Sequence, residues 1–304
     1  MEGSEKILVF GSEGQLGHEL IKRISYLESY THLAPVEKEL DITDEKQVSH
    51  LVETLKPDII INSAAYTAVD LAEDEPEKAF SVNRGGAANV AKAAKMIGAR
   101  CVLVSTDYVF DGSCGRALLE NDSTNPLGVY GQSKLDGENV VLEMLGDKAL
   151  VVRTSSLHGK KGSNFVHTML SLFEKRDEVS VVEDQVMSPT WAGWLADTII
   201  DLIRLDASGV YHASSGQAVS WYEFASEILE LTRSNYSNGA DKKILPIPSA
   251  EFPTKAKRPV YSVLGTDKLQ TLLERKPISW KEGLEQHLIE LGKISESELV
   301  QGRS

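Results

Sequence analysis

The sequence predicts an α/β fold: a doubly wound parallel sheet with a smaller C-terminal lobe. Three observations point to it. Short, nearly unbroken apolar runs alternate with helical patterns through the first half. A glycine-rich turn follows the first run, and prolines and polar loops loosen the pattern of the second half.

The apolar runs are residues 7–10, 58–62, 101–105 and 149–153, with a weaker one at 31–36. Each is short and lacks polar alternation, as expected of strands covered on both faces. Helical patterns fill the intervals at 14–27, 44–55, 77–98 and 127–145. Alternation of this kind builds right-handed crossovers and a parallel sheet. Beyond Arg153, residues 164–174, 191–203, 221–232 and 280–292 read as helices and 209–213 as a strand. Residues 234–243 read as a polar loop, and Pro246, Pro248, Pro253 and Pro259 make the next stretch extended or irregular. The expected division is a cofactor-binding unit at 1–154 and a lobe at 155–304, with the strand at 209–213 free to rejoin the first sheet.

Bulk properties narrow the function. The chain of 304 residues is 41% hydrophobic and 25% charged, so it can bury an ordinary core. Its net charge of -13 argues against nucleic acid and anionic membrane as partners. Two cysteines, Cys101 and Cys114, cannot build a disulfide framework. The first apolar run is too short for a signal segment, and no stretch reaches the ~18 apolar residues of a membrane span. A cytoplasmic location is expected. His18, His158, His167 and His212 lack metal-ligand spacing and read as polar helix or loop positions. The carboxylates of residues 73–77 read as a solvated helix start, and Trp191, Trp194 and Trp221 as packing residues.

The first strand runs into Gly11-Ser-Glu-Gly14-Gln15-Leu16-Gly17. A turn of this kind lets backbone approach a diphosphate at a helix N-terminus, where free N–H groups and the dipole favour an anion. An acid about 20 residues on is expected at the adenosine ribose. Glu37, Glu39 and Asp41 fall in that window, but none stands cleanly at the tip of the second strand. Glu37 and Glu39 read as solvated loop charge, and the residues admit either NADH or NADPH.

Ser105 and Thr106 end the fourth strand, and Tyr130 and Lys134 share one helix face at i, i+4. Ketone reduction needs a proton donor for the forming alkoxide. A free phenol titrates near ~10, poorly matched to neutral pH, and a nearby ammonium is expected to lower it. A hydroxyl at the strand end can share in polarising the carbonyl.

These residues carry a resemblance. The chain resembles the dTDP-4-dehydrorhamnose reductases, a branch of the extended short-chain dehydrogenase/reductases with a Rossmann-like cofactor domain. The match spans residues 6–291. It includes the glycine turn, Leu40-Asp-Ile-Thr-Asp44, Asn62-Ser-Ala-Ala-Tyr-Thr-Ala-Val-Asp70, Ser105-Thr-Asp-Tyr-Val-Phe-Asp-Gly112, Tyr130-Gly-Gln-Ser-Lys134, Asp184-Gln-Val-Met-Ser-Pro-Thr190 and Arg258-Pro259. The resemblance implies Thr106, Tyr130 and Lys134 as catalytic residues. It implies Gly11, Gly14, Gln15, Leu16, Gly17, Asp41, Ile42, Ala65, Tyr66, Thr67 and Val104, with Tyr130 and Lys134, along NADPH or NADH. It implies Thr106, Asp107 and Ser156 at a nucleotide-sugar substrate, and reduction of dTDP-4-dehydro-L-rhamnose to dTDP-L-rhamnose. Arg258 is expected to hold the substrate diphosphate, because an acidic chain needs a local cation there and arginine's fork suits phosphate.

Departures from the family pattern keep other readings in view. Ser156 stands where the family carries a tryptophan near the sugar, Met187 replaces a glycine, and Gly265 replaces an acid. A reductase or epimerase for another nucleotide-deoxysugar fits these changes. Relatives also serve as non-catalytic NADP-binding regulatory subunits of methionine adenosyltransferase. Some members hold magnesium at a dimer contact through glutamates. Glu19 matches one of these, but Gly193 occupies another's place, which argues against a metal-bridged dimer. A monomer or homodimer is expected.

Overall fold

The computed structural model describes residues 4–35 and 40–296. Six parallel strands form the central sheet: β1 (Glu5–Phe10), β2 (Tyr30–Leu33), β3 (Ile59–Asn62), β4 (Arg100–Thr106), β5 (Ala149–Thr154) and β6 (Gly209–His212). Their spatial order is β6-β5-β4-β3-β1-β2. Helices follow in chain order as α1 (Gln15–Ile24), α2 (Glu45–Leu55), α3 (Ala87–Ile97), α4 (Val129–Leu145), α5 (Phe165–Lys175), α6 (Ala192–Arg204), α7 (Trp221–Thr232), α8 (Asp267–Leu273) and α9 (Trp280–Glu290).

Apolar runs without alternation make sense because both sheet faces are covered. Ile7 and Val9 of β1 pack with Leu16 and Leu20 of α1 and with Leu195 and Ile199 of α6. Leu8 and Phe10, pointing the other way, pack with residues of α2, α3 and α4. The strand at 209–213 thus rejoins the first sheet beside β5, and α6 covers it with α1.

The lobe has its own core, in which Val166, Phe173, Phe224, Ile228, Leu284 and Leu288 join α5, α7 and α9. Ser220 and Ser279 start α7 and α9 with reciprocal capping boxes. Glu178–Val182 and Lys243–Ile247 pair as parallel strands, so part of the proline-punctuated stretch is a strand edge. The continuous helix expected at 77–98 is divided. A turn of wider pitch at Ser81–Gly86 separates Pro76–Phe80 from α3. There the Asn83 amide holds both the N–H and carbonyl of Tyr66 and reaches Ser133 Oγ at 2.9 Å.

Among the described residues no helix is long and apolar enough to cross a membrane. Cys101 is buried and Cys114 exposed. His158 and His212 are buried in strands, not helix or loop positions.

Candidate active site

A cleft of about 800 Å³ opens at the C-terminal ends of β1, β3 and β4. Beyond β1 the chain connects to β2 on one side and onward to β3 on the other, so this edge is the topological switch point of the sheet. The glycine turn forms its floor. Gly11 has φ of 78°, and a side chain there would strike the Ser63–Ala64 backbone; one on Gly17 would strike the Gly11 carbonyl. Gly14 differs. It is the N-cap of α1 without a side-chain cap bond, and a Cβ there would meet only Gly11 O, at 3.3 Å. Its freedom from a side chain matters to the cleft more than to the fold. The first-turn N–H groups of α1 lack intrahelical acceptors and are free to bind an anion. This open cradle fits a dinucleotide diphosphate.

Asp41, Ile42, Ala65, Thr67 and Val104 line the cleft. The Asp41 carboxylate accepts from Thr43 N at 2.8 Å, and Asn89 holds the Ile42 carbonyl, fixing this rim. Tyr66 departs from the expectation. Its hydroxyl donates to Glu75 Oε2 at 3.0 Å and its backbone is taken by Asn83, so it supports the rim without lining it. Glu37 and Glu39 lie outside the described residues.

Thr106, Tyr130 and Lys134 meet on one wall. The Thr106 hydroxyl stands near the Tyr130 phenol and donates to Asp107 Oδ1 at 3.0 Å. The phenol is not acidified as expected. Burial pushes it up to about 12, with the Thr106 hydroxyl pulling down and the Asp107 charge pushing up. The Lys134 Nζ donates to the Val104 carbonyl at 2.6 Å. Burial lowers Lys134 to about 8, against the opposing pull of Glu138. Glu138 itself is locked to Arg153 by a buried, forked ion pair.

Asp107 is buried, and that burial raises its carboxyl above the usual range, opposed by hydrogen bonds from Ser262, Ser155 and Thr106. It steadies Thr106 from beneath. Ser156 lines the cleft with φ of 45°. Arg258 also lines it, but one nitrogen, Nη2, is taken by Asp70 at 2.8 Å.

Aromatic residues outside the expected site also line the cleft. Tyr108 meets the Tyr130 ring edge-on at 5.8 Å between centroids. Phe165 and Trp221 pack at 4.6 Å and line the lobe side, so Trp221 is a wall of the cleft as well as a packing residue. Nothing in their spacing marks them, since aromatics at helix starts more often pack. Glu73 and Glu75 are likewise engaged in bonds to other elements instead of forming a solvated helix start.

Among the described residues no group of three or more His, Cys, Asp or Glu is arranged for a metal ion. Glu19 is buried and ion-paired with Arg23, which also holds Asp197 at 2.7 Å and fills the space beside Gly193.

Residues 5–292 match the family model described as RmlD substrate binding domain. The dTDP-4-dehydrorhamnose reductase of Escherichia coli (strain K12) is 38% identical over 94% of this chain and 97% of its own. The spore coat polysaccharide biosynthesis protein SpsK of Bacillus subtilis (strain 168) is 39% identical over 94% and 97%. The crystal structure of dTDP-4-dehydrorhamnose reductase from Bacillus anthracis in complex with NADP superposes with a TM-score of 0.89 at 40% identity, covering 94% of this chain and 99% of that one. The chain belongs to the dTDP-4-dehydrorhamnose reductase family of oxidoreductases.

Proposed function

We propose that this protein reduces the 4-keto group of a dTDP-6-deoxy-4-keto sugar with NADPH or NADH, converting dTDP-4-dehydro-L-rhamnose to dTDP-L-rhamnose. The observation that carries this reading is the convergence of Thr106, Tyr130 and Lys134 on one wall of the cleft that begins at the glycine turn. Residues 1–154 with the returning strand β6 form the cofactor unit in this reading, and the C-terminal lobe takes the sugar nucleotide.

The bound nicotinamide supplies hydride to the carbonyl carbon. The α1 N-terminus holds the cofactor diphosphate by backbone N–H groups. Thr106 orients the substrate carbonyl oxygen, and Tyr130 gives its proton to that oxygen as it becomes an alkoxide. A phenol at about 12 stays protonated at neutral pH, which suits the reductive direction. The Lys134 ammonium stabilises the phenolate left behind. Arg258 takes a diphosphate oxygen of the sugar nucleotide.

The test is oxidation of NADPH and NADH by the purified chain with a panel of dTDP-4-keto-6-deoxysugars, product stereochemistry being read by NMR. Substrate-dependent oxidation yielding dTDP-L-rhamnose is expected. No oxidation with any sugar overturns the reductase reading. Turnover with a different product moves the specificity to another deoxysugar, the reading that the short Ser156 favours.

A further inference from the structure

One short segment, residues 69–75, touches both halves of the site without lining it at its acidic positions. It begins with the helical turn Val69–Ala72. Asp70 takes the opposite loop at two points: Oδ2 accepts from Arg258 Nη2 at 2.8 Å and Oδ1 from Ala256 N at 3.2 Å. Asp74 pairs with Lys255 of the same loop. Three residues after Asp70, Glu73 Oε1 accepts from Val129 N at 2.9 Å. Val129 is the first residue of α4 and immediately precedes Tyr130. The N-cap of α4, Gly128, makes no side-chain cap bond, so a carboxylate from a remote segment does that work. A side chain on Gly128 would collide with Glu73 Oε1.

Arg258 shows what this arrangement leaves available. Its Nε is buried with no hydrogen-bond partner among the described residues, and the residue lines the cleft. An arginine held along one edge presents its remaining N–H groups in a fixed direction, which suits phosphate recognition. Asp70 holds that edge. Tyr108, whose phenol feels both the Arg258 and Asp70 charges, meets Tyr130 edge-on, so the two halves are neighbours.

We propose that Asp70 and Glu73 are positioning residues for the reduction: Asp70 sets Arg258 for the substrate's diphosphate, and Glu73 sets the first turn of α4 and with it Tyr130. The proposal rests on the functional reading above. It predicts a division that general destabilisation would not produce, because one acid acts on binding and the other on the chemical step.

The experiment measures kcat, KM for the nucleotide sugar and NADPH affinity by fluorescence for six variants, with circular dichroism as the check on folding. Asp70→Ala should raise KM about tenfold and leave kcat within about twofold. In an Arg258→Ala background the same change should have no further effect on KM. Glu73→Ala should lower kcat by about 10–100-fold with little change in KM, since small misplacement of a catalytic group is costly. Gly128→Ala should reproduce that loss by displacing the carboxylate, and Glu73→Gln, which keeps an acceptor, should restore most of kcat. NADPH affinity should hold in all of them. If Arg258→Ala leaves KM unchanged, the substrate reading of Arg258 fails. If Arg258→Ala raises KM but Asp70→Ala leaves it unchanged or lowers it, Asp70 does not orient Arg258 and its role is overturned. Equal losses of kcat in Glu73→Ala and Glu73→Gln, or parallel changes in kcat and KM for all variants, overturn the role of Glu73.

Discussion

The Lys134 ammonium donates to the Val104 carbonyl oxygen at 2.6 Å, one helical turn from the Tyr130 phenol. Two neighbouring groups with different titration ranges therefore sit side by side. Burial brings the lysine down to about 8 and pushes the phenol up to about 12. Reduction needs the phenol protonated and the lysine charged. Both conditions hold below about 8, and the lysine is the first to lose its proton as pH rises. The expected profile of kcat/KM is flat near neutrality and falls through about 8. Initial rates of NADPH oxidation across about pH 6–10 check this, and a profile flat to the alkaline end would remove the need for the Lys134 charge.

Tyr130→Phe isolates the proton donor. The variant keeps the ring and its edge-on contact with Tyr108, so packing should survive. Turnover should fall by about 10²–10⁴ while NADPH affinity stays near normal. Activity above about a tenth of the parent's would place the proton donor elsewhere.

The glycine turn separates packing from binding. A Cβ on Gly17 has no room against the Gly11 carbonyl, whereas one on Gly14 meets only the Gly11 carbonyl oxygen, at 3.3 Å, and needs only a small shift of it. Gly17→Ala should therefore lower the thermal midpoint strongly. Gly14→Val should fold and lose cofactor affinity. Fluorescence titration with NADPH and thermal melts of both variants distinguish the two roles, and a Gly14→Val protein with unchanged affinity would move the diphosphate away from α1.

How much of this was legible in the sequence follows from the range of each interaction. Strands β1, β3, β4 and β5 announce themselves because burial on both faces forbids polar alternation, and Gly11–Gly17 because a strand-to-helix turn is local. Tyr130 and Lys134 are neighbours on one helix, so their spacing is visible. Arg258 and Asp70 are not, because the partner lies 188 residues away and nothing local marks it. The single helix expected at 77–98 failed at Ser81–Gly86, where a wider turn preserves the apolar pattern while shifting its face. Glu73 looked solvated because a carboxylate that caps another helix has the same local sequence as one that faces water.

Ser156 holds a left-handed backbone conformation, with φ of 45°. For a residue with a Cβ this costs ~1–2 kcal/mol. Glycine would relieve it, offset by about 0.4–1 kcal/mol of extra freedom in the unfolded chain. Ser156→Gly should therefore raise the thermal midpoint slightly, and Ser156→Val should lower it, since a branched side chain tolerates this region poorly. Opposite signs would mean that the serine side chain stabilises the turn by more than the strain costs. Because Ser156 lines the cleft, sugar preference should be followed in the same variants.

The lobe carries an acid-sensitive cluster behind the cleft. His158 Nδ1 lies 3.1 Å from His287 Nδ1 with the rings stacked, and the His167 ring is 5.3 Å from that of His287. Phe224 closes the group beside His158, and the Asn164 amide stands near His167. Burial first, then the neighbouring histidines, hold His158 well below the ordinary range and His287 near about 3. The folded protein thus refuses protons that the unfolded chain accepts below about 6.5. Stability from these groups is complete above that pH and is lost as pH falls toward the folded values, at about 1.4 kcal/mol per pH unit for each histidine. His212, lowered to about 3 by burial and then by Arg153, adds to the same slope. The denaturation midpoint should therefore begin to fall near pH ~6.5, above the range where carboxylates titrate. His287→Gln should flatten part of that fall whatever its effect on absolute stability, leaving the share due to His158 and His212. A chemical-denaturation series from about pH 7.5 to 4.5 reads the slope directly, and a variant with the parent's slope would assign the acid sensitivity to other groups.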